Sequence, residues 1–343
     1  MMTTNFSRRQ FLGTAATAVV AGGLASSMPV FAEESVQAGS GTWQPLNKAI
    51  LVTWDMLNEK YCEHLRNVGY EGMELWHWDT TVGEARKTRQ MVEQHGLRIH
   101  AIVRGWLTTN SLDKDKVEAD IQSAEKALRT AAAHGASSVL LVTATLPGGS
   151  VPMPDPWDFE IDFDPKTLHV KTVVAGDNTP YADYIKAQNF ATECSVRALE
   201  ERLIPVAAKE GVTIALENVW NNLWCTPEYF AAFVRFCDNP WVKAHFDLGN
   251  HTKYSRCEEW LKALGSSIVK LDLKDYAVKE IKGKRGGGPG DWAPISKGTV
   301  HWKNVRKGLE EIGYRGWISV EETVPGVLTD EEYIKFIDDH FGA

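Results

Sequence analysis

The 343-residue chain is acidic, with 45 Asp and Glu against 37 Lys and Arg and a formal net charge of −8. That balance, with no basic run, argues against nucleic acid as the natural partner, because such affinity rests on neutralising phosphates with Lys and Arg. Five cysteines, Cys62, Cys194, Cys225, Cys237 and Cys257, are an odd number without a close CxxC pair, which signals neither a thiolate zinc site nor a disulfide framework.

At the N-terminus, Ser7-Arg8-Arg9-Gln10-Phe11-Leu12-Gly13 precedes a mild apolar run from Phe11 to about Leu24, and Val30-Phe31-Ala32 offers a small-residue cleavage site. The run is rich in Ala, Gly and Thr and too short to span a bilayer comfortably, so the segment resembles a twin-arginine export signal rather than an anchor. The expected organisation is a signal peptide over 1–32, a linker over 33–47 and one domain over 48–343. The protein is then periplasmic or otherwise exported, with the twin-arginine translocase as its partner during export and no membrane span after cleavage. That route carries folded proteins, which suits a chain that acquires a cofactor first. An oligomer is compatible with the sequence.

From residue 48, short β-type runs alternate with amphipathic helical ones. The order is "AILVTW", a helix near 56–68, "GMELWHW", a helix near 82–95, "RIHAIVRGW", a helix near 115–134 and "SSVLLVTA". It continues with a helix near 183–210, "TIALENVW", a helix near 227–237, "VKAHFDLGN", a helix near 257–264, "IVKLDLKDY", a helix near 302–312, "WISVEET" and a helix near 330–340. Eight strand–helix units predict parallel strands closed into a (β/α)8 barrel, and no GxGxxG follows the first strand to suggest an open dinucleotide-binding sheet. Gly72, Gly96, Gly135, Gly211 and Gly316 stand before strands, where helix C-caps are expected. Two irregular stretches, 146–182 with Trp157 and Phe159 and 279–300 with "KGKRGGGPGDW", follow the fourth and seventh strands. They are expected as long loops on the C-terminal rim, where this architecture keeps its chemistry.

The late strands carry that chemistry. In "IVKLDLKDY" the alternation puts Lys270, Asp272 and Lys274 on one face and Val269, Leu271 and Leu273 on the other. By the same count Glu217, Asp247 and Glu321 end the inner faces of the fifth, sixth and eighth strands. Four carboxylates converging in a barrel mouth repel and lose hydration unless a cation sits between them. Oxygen donors favour Mn2+, Mg2+ or Ca2+, with Co2+ or Zn2+ as further candidates. The competing reading is a metal-free network in which Lys270 and Lys274 neutralise the acids. Among the histidines, His251 is the best nitrogen-donor reserve. His245 reads as an ordinary lumen residue, and His77 and His100 as packing or substrate contacts.

The segments "ALENVWNN", "HFDLGN", "LKDY" and "SVE", in this order and at these strand ends, resemble the xylose isomerase-like TIM barrels, a group of sugar and sugar-phosphate isomerases and epimerases and endonuclease IV-type enzymes. The resemblance runs over about residues 48–340. It implies that Glu217, Asp247 and Glu321 are metal ligands. The family's seventh strand usually reads His-x-Lys-Asp with the His on the metal, and here Asp272 stands at that position. The acidic residue of the family's Gly-x-Val-Asp-Trp turn is here His301.

In such enzymes two glutamates, matched by Glu217 and Glu321, move a proton on and off the carbon beside a carbonyl through an enediolate, with Lys274 beside them. Candidate sugar contacts are His77, Trp106, Trp157, Trp220, Asn250 and His251, with Trp76, Trp78 and Trp224 also near predicted strand ends. The expectation is a metal-dependent carbohydrate isomerase or epimerase acting on a free or oxidised sugar. A lyase or hydrolase of 3-keto-glycosides and a non-catalytic periplasmic sugar-binding barrel are its alternatives.

Overall fold

A computed structural model describes residues 43–321, 324 and 326–343, so the expected signal peptide and residues 33–42 of the expected linker lie outside the described residues. The described residues belong to one compact unit, Val36–Ala343. Eight parallel strands close a barrel: β1 (Asn47–Thr53), β2 (Gly72–Trp76), β3 (Arg98–Trp106), β4 (Ser138–Val142), β5 (Thr213–Leu216), β6 (Val242–Asp247), β7 (Ile268–Leu273) and β8 (Trp317–Val320). They pair in chain order, and β8 returns to β1 with Asn47 opposite Trp317.

The helices fall where the sequence pattern puts them, and their ends carry local signals. Thr81 and Thr329 close capping boxes with Glu84 and Glu332, and Asp113 caps the helix Lys114–His134. The expected 183–210 helix is continuous but contains a π-turn at Leu199–Leu203, just before Pro205, whose missing N–H disrupts the α-helical hydrogen-bond ladder. Gly96, Gly135 and Gly211 adopt the left-handed conformation expected of them. Gly72 and Gly316 do not: the left-handed residues of those two joints are Gly69 and Gly313. Gly72 is needed for space, since a Cβ there would lie 2.5 Å from the Arg98 carbonyl and 2.6 Å from the Trp317 ring.

Outward-facing residues such as Leu75, Ile102, Phe246 and Leu271 join the helices in one large core. Inside the barrel, Val103, Leu140 and Val142 form a separate small cluster with Leu51 and Val219. The lumen therefore has an apolar side, built by β1, β3 and β4, and a charged side built by the later strands. Both long rim segments carry short hairpins, Asp162–Phe163 with Val170–Thr172 and Asp275–Val278 with Gly290–Ala293. An ion pair between Asp158 and Lys284, 3.0 Å, ties one segment to the other. All five cysteines are free, and no helix among the described residues is long and apolar enough to cross a membrane.

Candidate active site

The parallel register sets the height of the acids. Asp247 pairs with Asp272, and Asp272 with Ser319, two positions below Glu321. Oxygen atoms of Asp247, Asp272 and Glu321 lie within 4.8 Å of one another at the C-terminal mouth. Asp247 also caps the short helix Leu248–Thr252. Its Oδ1 accepts from the backbone N–H groups of Gly249 and Asn250, both at 2.8 Å, while Oδ2 accepts from Asn250 Nδ2 at 2.7 Å. Asn250 Nδ2 donates as well to Glu217 Oε1 at 2.8 Å, which links the fifth-strand acid to the sixth-strand one.

Lys274 threads into this crown. Its ammonium lies 2.8 Å from Asp247 Oδ2 and 2.6 Å from Glu321 Oε2, and 5.5 Å from the ring centre of Trp292. Gly249 makes the approach feasible: a Cβ there would stand 2.6 Å from Lys274 Cβ and 3.0 Å from the Trp292 ring. One layer deeper, His245 Nε2 lies 2.8 Å from Asp272 Oδ2, and Glu74 from β2 reaches across the lumen to the same pair.

Five carboxyl groups among the described residues, Glu74, Glu217, Asp247, Asp272 and Glu321, thus gather at these two levels beside Lys274 and His245. Burial pushes Glu217 up to about 7 and Glu321 up to about 8, and the neighbouring acids add to the rise against the opposing pull of Lys274. Burial raises Glu74 well above the carboxylate range, reinforced by the Asp272 charge. Burial alone would lower His245, but Asp272 and Glu74 outweigh it and raise the imidazole to about 10. Burial likewise opposes the Lys274 charge, yet Asp247, Glu321 and Glu217 hold the ammonium more firmly protonated than usual. Groups with pKa values near neutrality in a strand-end crown suit general acid and base work.

The other residues singled out in the sequence scatter. Asn250, expected to touch substrate, is buried and spends its amide on Glu217 and Asp247, so it positions the acids. His251 is a core residue and not a ligand or sugar contact. The short helix turns it outward, its Nδ1 donates to the Asp247 carbonyl at 2.7 Å, and its ring packs 4.3 Å from Trp260, with burial lowering its pKa to about 3. Trp224 is also core, stacked on Phe233. Trp220 does stand at the rim, where it stacks on Trp292 at 4.9 Å and donates to the Asn250 carbonyl. Trp157 is half-buried in the segment after β4 and Phe159 packs into the core.

Elsewhere on the same rim Trp106 and Trp76 end β3 and β2 with 42% and 47% of their surface exposed, and His77 stacks on the exposed Trp54 at 3.8 Å. Lys270, on β7 four residues before Lys274, donates to Ser137 Oγ, while Lys274 meets the acids of the crown. Asp275 holds the following loop by accepting from the N–H groups of Tyr276, Gly298 and Val300. His301 sits 3.5 Å from Glu258 at an exposed helix start and not in the acidic crown. Glu74 and Trp292 escaped the sequence reading. The alternation that exposed Glu217 also places Glu74 between Gly72 and Trp76, whereas the stacking of Trp292 on Trp220 has no signal in the sequence.

The donor set fits a divalent cation. Three carboxylates converge, and Asp272 Oδ1 is buried without a hydrogen-bond donor. Asp247 is the exception, since both of its oxygens are already engaged, and an ion using Oδ2 requires the Lys274 ammonium to withdraw.

A sequence profile described as Xylose isomerase-like TIM barrel matches residues 62–337. Among curated relatives, an uncharacterised protein of Methanocaldococcus jannaschii is 27% identical over 165 residues, 45% of this chain and 50% of that protein. L-ribulose-5-phosphate 3-epimerase UlaE of Salmonella paratyphi A is 23% identical over 142 residues, 41% of this chain and 47% of the epimerase. The chain thus spans about half the length of the curated relatives it matches. Two solved structures share the fold. D-psicose 3-epimerase in the presence of D-fructose has a TM-score of 0.63 at 14% identity, covering 87% of this chain and 100% of the other. The IOLI protein with a bound zinc atom has a TM-score of 0.61 at 18% identity, over 87% and 100%.

Proposed function

The chain belongs to the xylose isomerase-like TIM barrel family, and from that premise we propose that it is a divalent-metal-dependent carbohydrate isomerase or epimerase. The observation that carries the reading is the crown of Glu217, Asp247, Asp272 and Glu321 gathered around the Lys274 ammonium at the barrel mouth. Asp247, Asp272 and Glu321, with Glu217 beside them, would hold the cation. When bound, it would polarise a substrate carbonyl and make the adjacent C–H more acidic.

The side chains do the rest. Glu217 and Glu321 lie on separate strands, so one can take a proton from the carbon beside the carbonyl and the other return one to the opposite face. Burial and the neighbouring acids raise both above the ordinary carboxylate range before a cation binds, and once the cation draws off their protons each can act as the base. Asn250 keeps the Glu217 and Asp247 carboxylates oriented. Lys274 offers an ammonium to a developing oxyanion once a ligand draws it from Glu321. The Arg8-Arg9 signal supports a periplasmic or otherwise exported site of action, which favours a free or oxidised sugar over a sugar phosphate.

A second reading, cleavage of 3-keto-glycosides, is favoured by the exposed Trp54, Trp76 and Trp106, aromatic faces at the ends of the first three strands that suit an aglycone. The same proton abstraction would then be followed by expulsion of the aglycone. Purified protein loaded with Mn2+ and incubated with free ketohexoses and with a nitrophenyl 3-keto-glucoside separates these outcomes. Interconversion of ketohexoses supports the first reading and nitrophenol release the second. Binding of either compound without product overturns both in favour of a non-catalytic sugar-binding barrel.

A further inference from the structure

One acid of the lumen lies beneath the mouth. Glu74 is 1% exposed, and among its atoms Oε1 has no hydrogen-bond donor. It lies beside Asp272, whose Oδ1 is equally without one. His245 is 1% exposed: its Nδ1 looks at Glu74 Oε1 from 3.9 Å without a partner, and its Nε2 is close to Asp272 Oδ2 but outside hydrogen-bond geometry. One ligand atom from each residue lies within 4.8 Å of the other two. β6 and its neighbour β7, with β2 across the lumen, thus aim buried ligand atoms at one point, and unsatisfied buried polar groups of this kind are costly. A single proton could join Glu74 to Asp272, but it would leave the imidazole Nδ1 unserved. Asp247 shows the contrast, because each of its oxygens already has its hydrogen-bond donors.

We propose that Glu74, His245 and Asp272 form a cation site one layer beneath the barrel mouth, taking a divalent transition ion of the Mn2+, Co2+ or Zn2+ class. Entry of the ion would displace the protons that the imidazole and Glu74 otherwise hold; one nitrogen and two carboxylates are then the donor mixture such ions accept, whereas Mg2+ and Ca2+ prefer oxygen alone. Asp272 belongs to both this site and the crown above, so its two oxygens can bridge them. The proposal goes beyond the catalytic reading, which needs only the crown.

The test uses the full chain, stripped with a chelator and dialysed against Mn2+, with bound metal measured for wild type, Glu74→Gln and Glu321→Gln. Glu74→Gln keeps the shape of the side chain, and its circular dichroism and melting temperature report whether it folds. The expected result is loss of one equivalent, or at least ~10-fold weaker binding, in Glu74→Gln. Electron spin echo on Mn2+-loaded wild type adds a readout that needs no variant: the strong coupling of a directly coordinated imidazole nitrogen supports the deep site, because the ligand atoms of the crown are carboxylate oxygens. Unchanged metal content in Glu74→Gln together with absent nitrogen coupling overturns it. Metal lost in Glu321→Gln but kept in Glu74→Gln leaves the crown standing and removes the deep site, while the reverse pattern removes the crown and keeps the deep site. No bound metal in wild type removes both.

Discussion

Lys274→Met separates an ammonium-neutralised crown from one that also holds a metal. The native ammonium is 2.8 Å from a carboxylate that is 0% exposed and 2.6 Å from one that is 30% exposed. Methionine fills much of the same volume but leaves Asp247 and Glu321 without their cation. Breaking a buried pair in this way costs about 3–5 kcal/mol. An unfolding entropy near 2.1 cal/mol/K per residue over roughly 300 residues converts that to a fall in melting temperature of about 5–8 °C without metal. Added Mn2+ should recover most of the loss, because a divalent ion replaces the missing charge and no longer has to displace an amine. Metal affinity in the variant should therefore exceed that of wild type while turnover falls. Differential scanning calorimetry with and without Mn2+, with isothermal titration on the same samples, reads both quantities. A variant that melts with wild-type protein and binds Mn2+ no more tightly would refute the view that Lys274 and a cation compete for Asp247 and Glu321.

Three further outcomes follow from particular contacts. Gly249→Ala drives a methyl group into Lys274 Cβ and the Trp292 ring, so it should cost about 1–3 kcal/mol by overpacking and lower turnover with the barrel intact by circular dichroism; full activity and an unchanged melt would show that this approach is not tight. His134, far from the crown, is held by burial at a pKa of about 4. Its folded value lies below the unfolded one near 6.5, so its contribution is fully present at pH 7.5 and is lost as pH falls toward 4. His134→Leu should reduce the stability lost between pH 7.5 and 4.5 by about 2–3 kcal/mol in urea titrations, and identical losses in the two proteins would count against a neutral buried imidazole. Replacing Arg8 and Arg9 together by Lys should leave the protein in the cytoplasm on fractionation; normal export of that variant would refute the twin-arginine assignment.

Much of the barrel was legible because each unit carries redundant signals: a period-two strand, an amphipathic helix and a glycine at or near the joint. Inner-face counting found Glu217, Asp247, Asp272 and Glu321 for the same reason, since a strand that is apolar on one side reveals its other side. The failures share a cause as well. Asn250 and His251 were assigned to substrate as if the β6 strand ran on, but Asp247 caps a five-residue helix there, which sends Asn250 inward to the acids and His251 outward to Trp260. Gly72 and Gly316 were taken for caps because spacing cannot tell a left-handed residue from one that merely needs room. Glu74 is a lone acid in an early strand, and its partners His245 and Asp272 are about 170 and 200 residues away, so only closure of the barrel brings them together. The pairing of Lys274 with Asp247 and Glu321 is likewise a property of three strand ends at one height.

The central claim is that Glu217 and Glu321 exchange a proton with a carbon beside a substrate carbonyl. Incubating Mn2+-loaded protein in D2O with ketohexoses and with the nitrophenyl 3-keto-glucoside, and following deuterium by mass spectrometry, observes that step whichever product forms. Wild type should introduce deuterium at the carbon adjacent to the carbonyl, and Glu217→Gln and Glu321→Gln should slow the exchange on the order of 10²–10⁴-fold. Exchange at the wild-type rate in both variants, or none in wild type with either class of compound, would contradict the account.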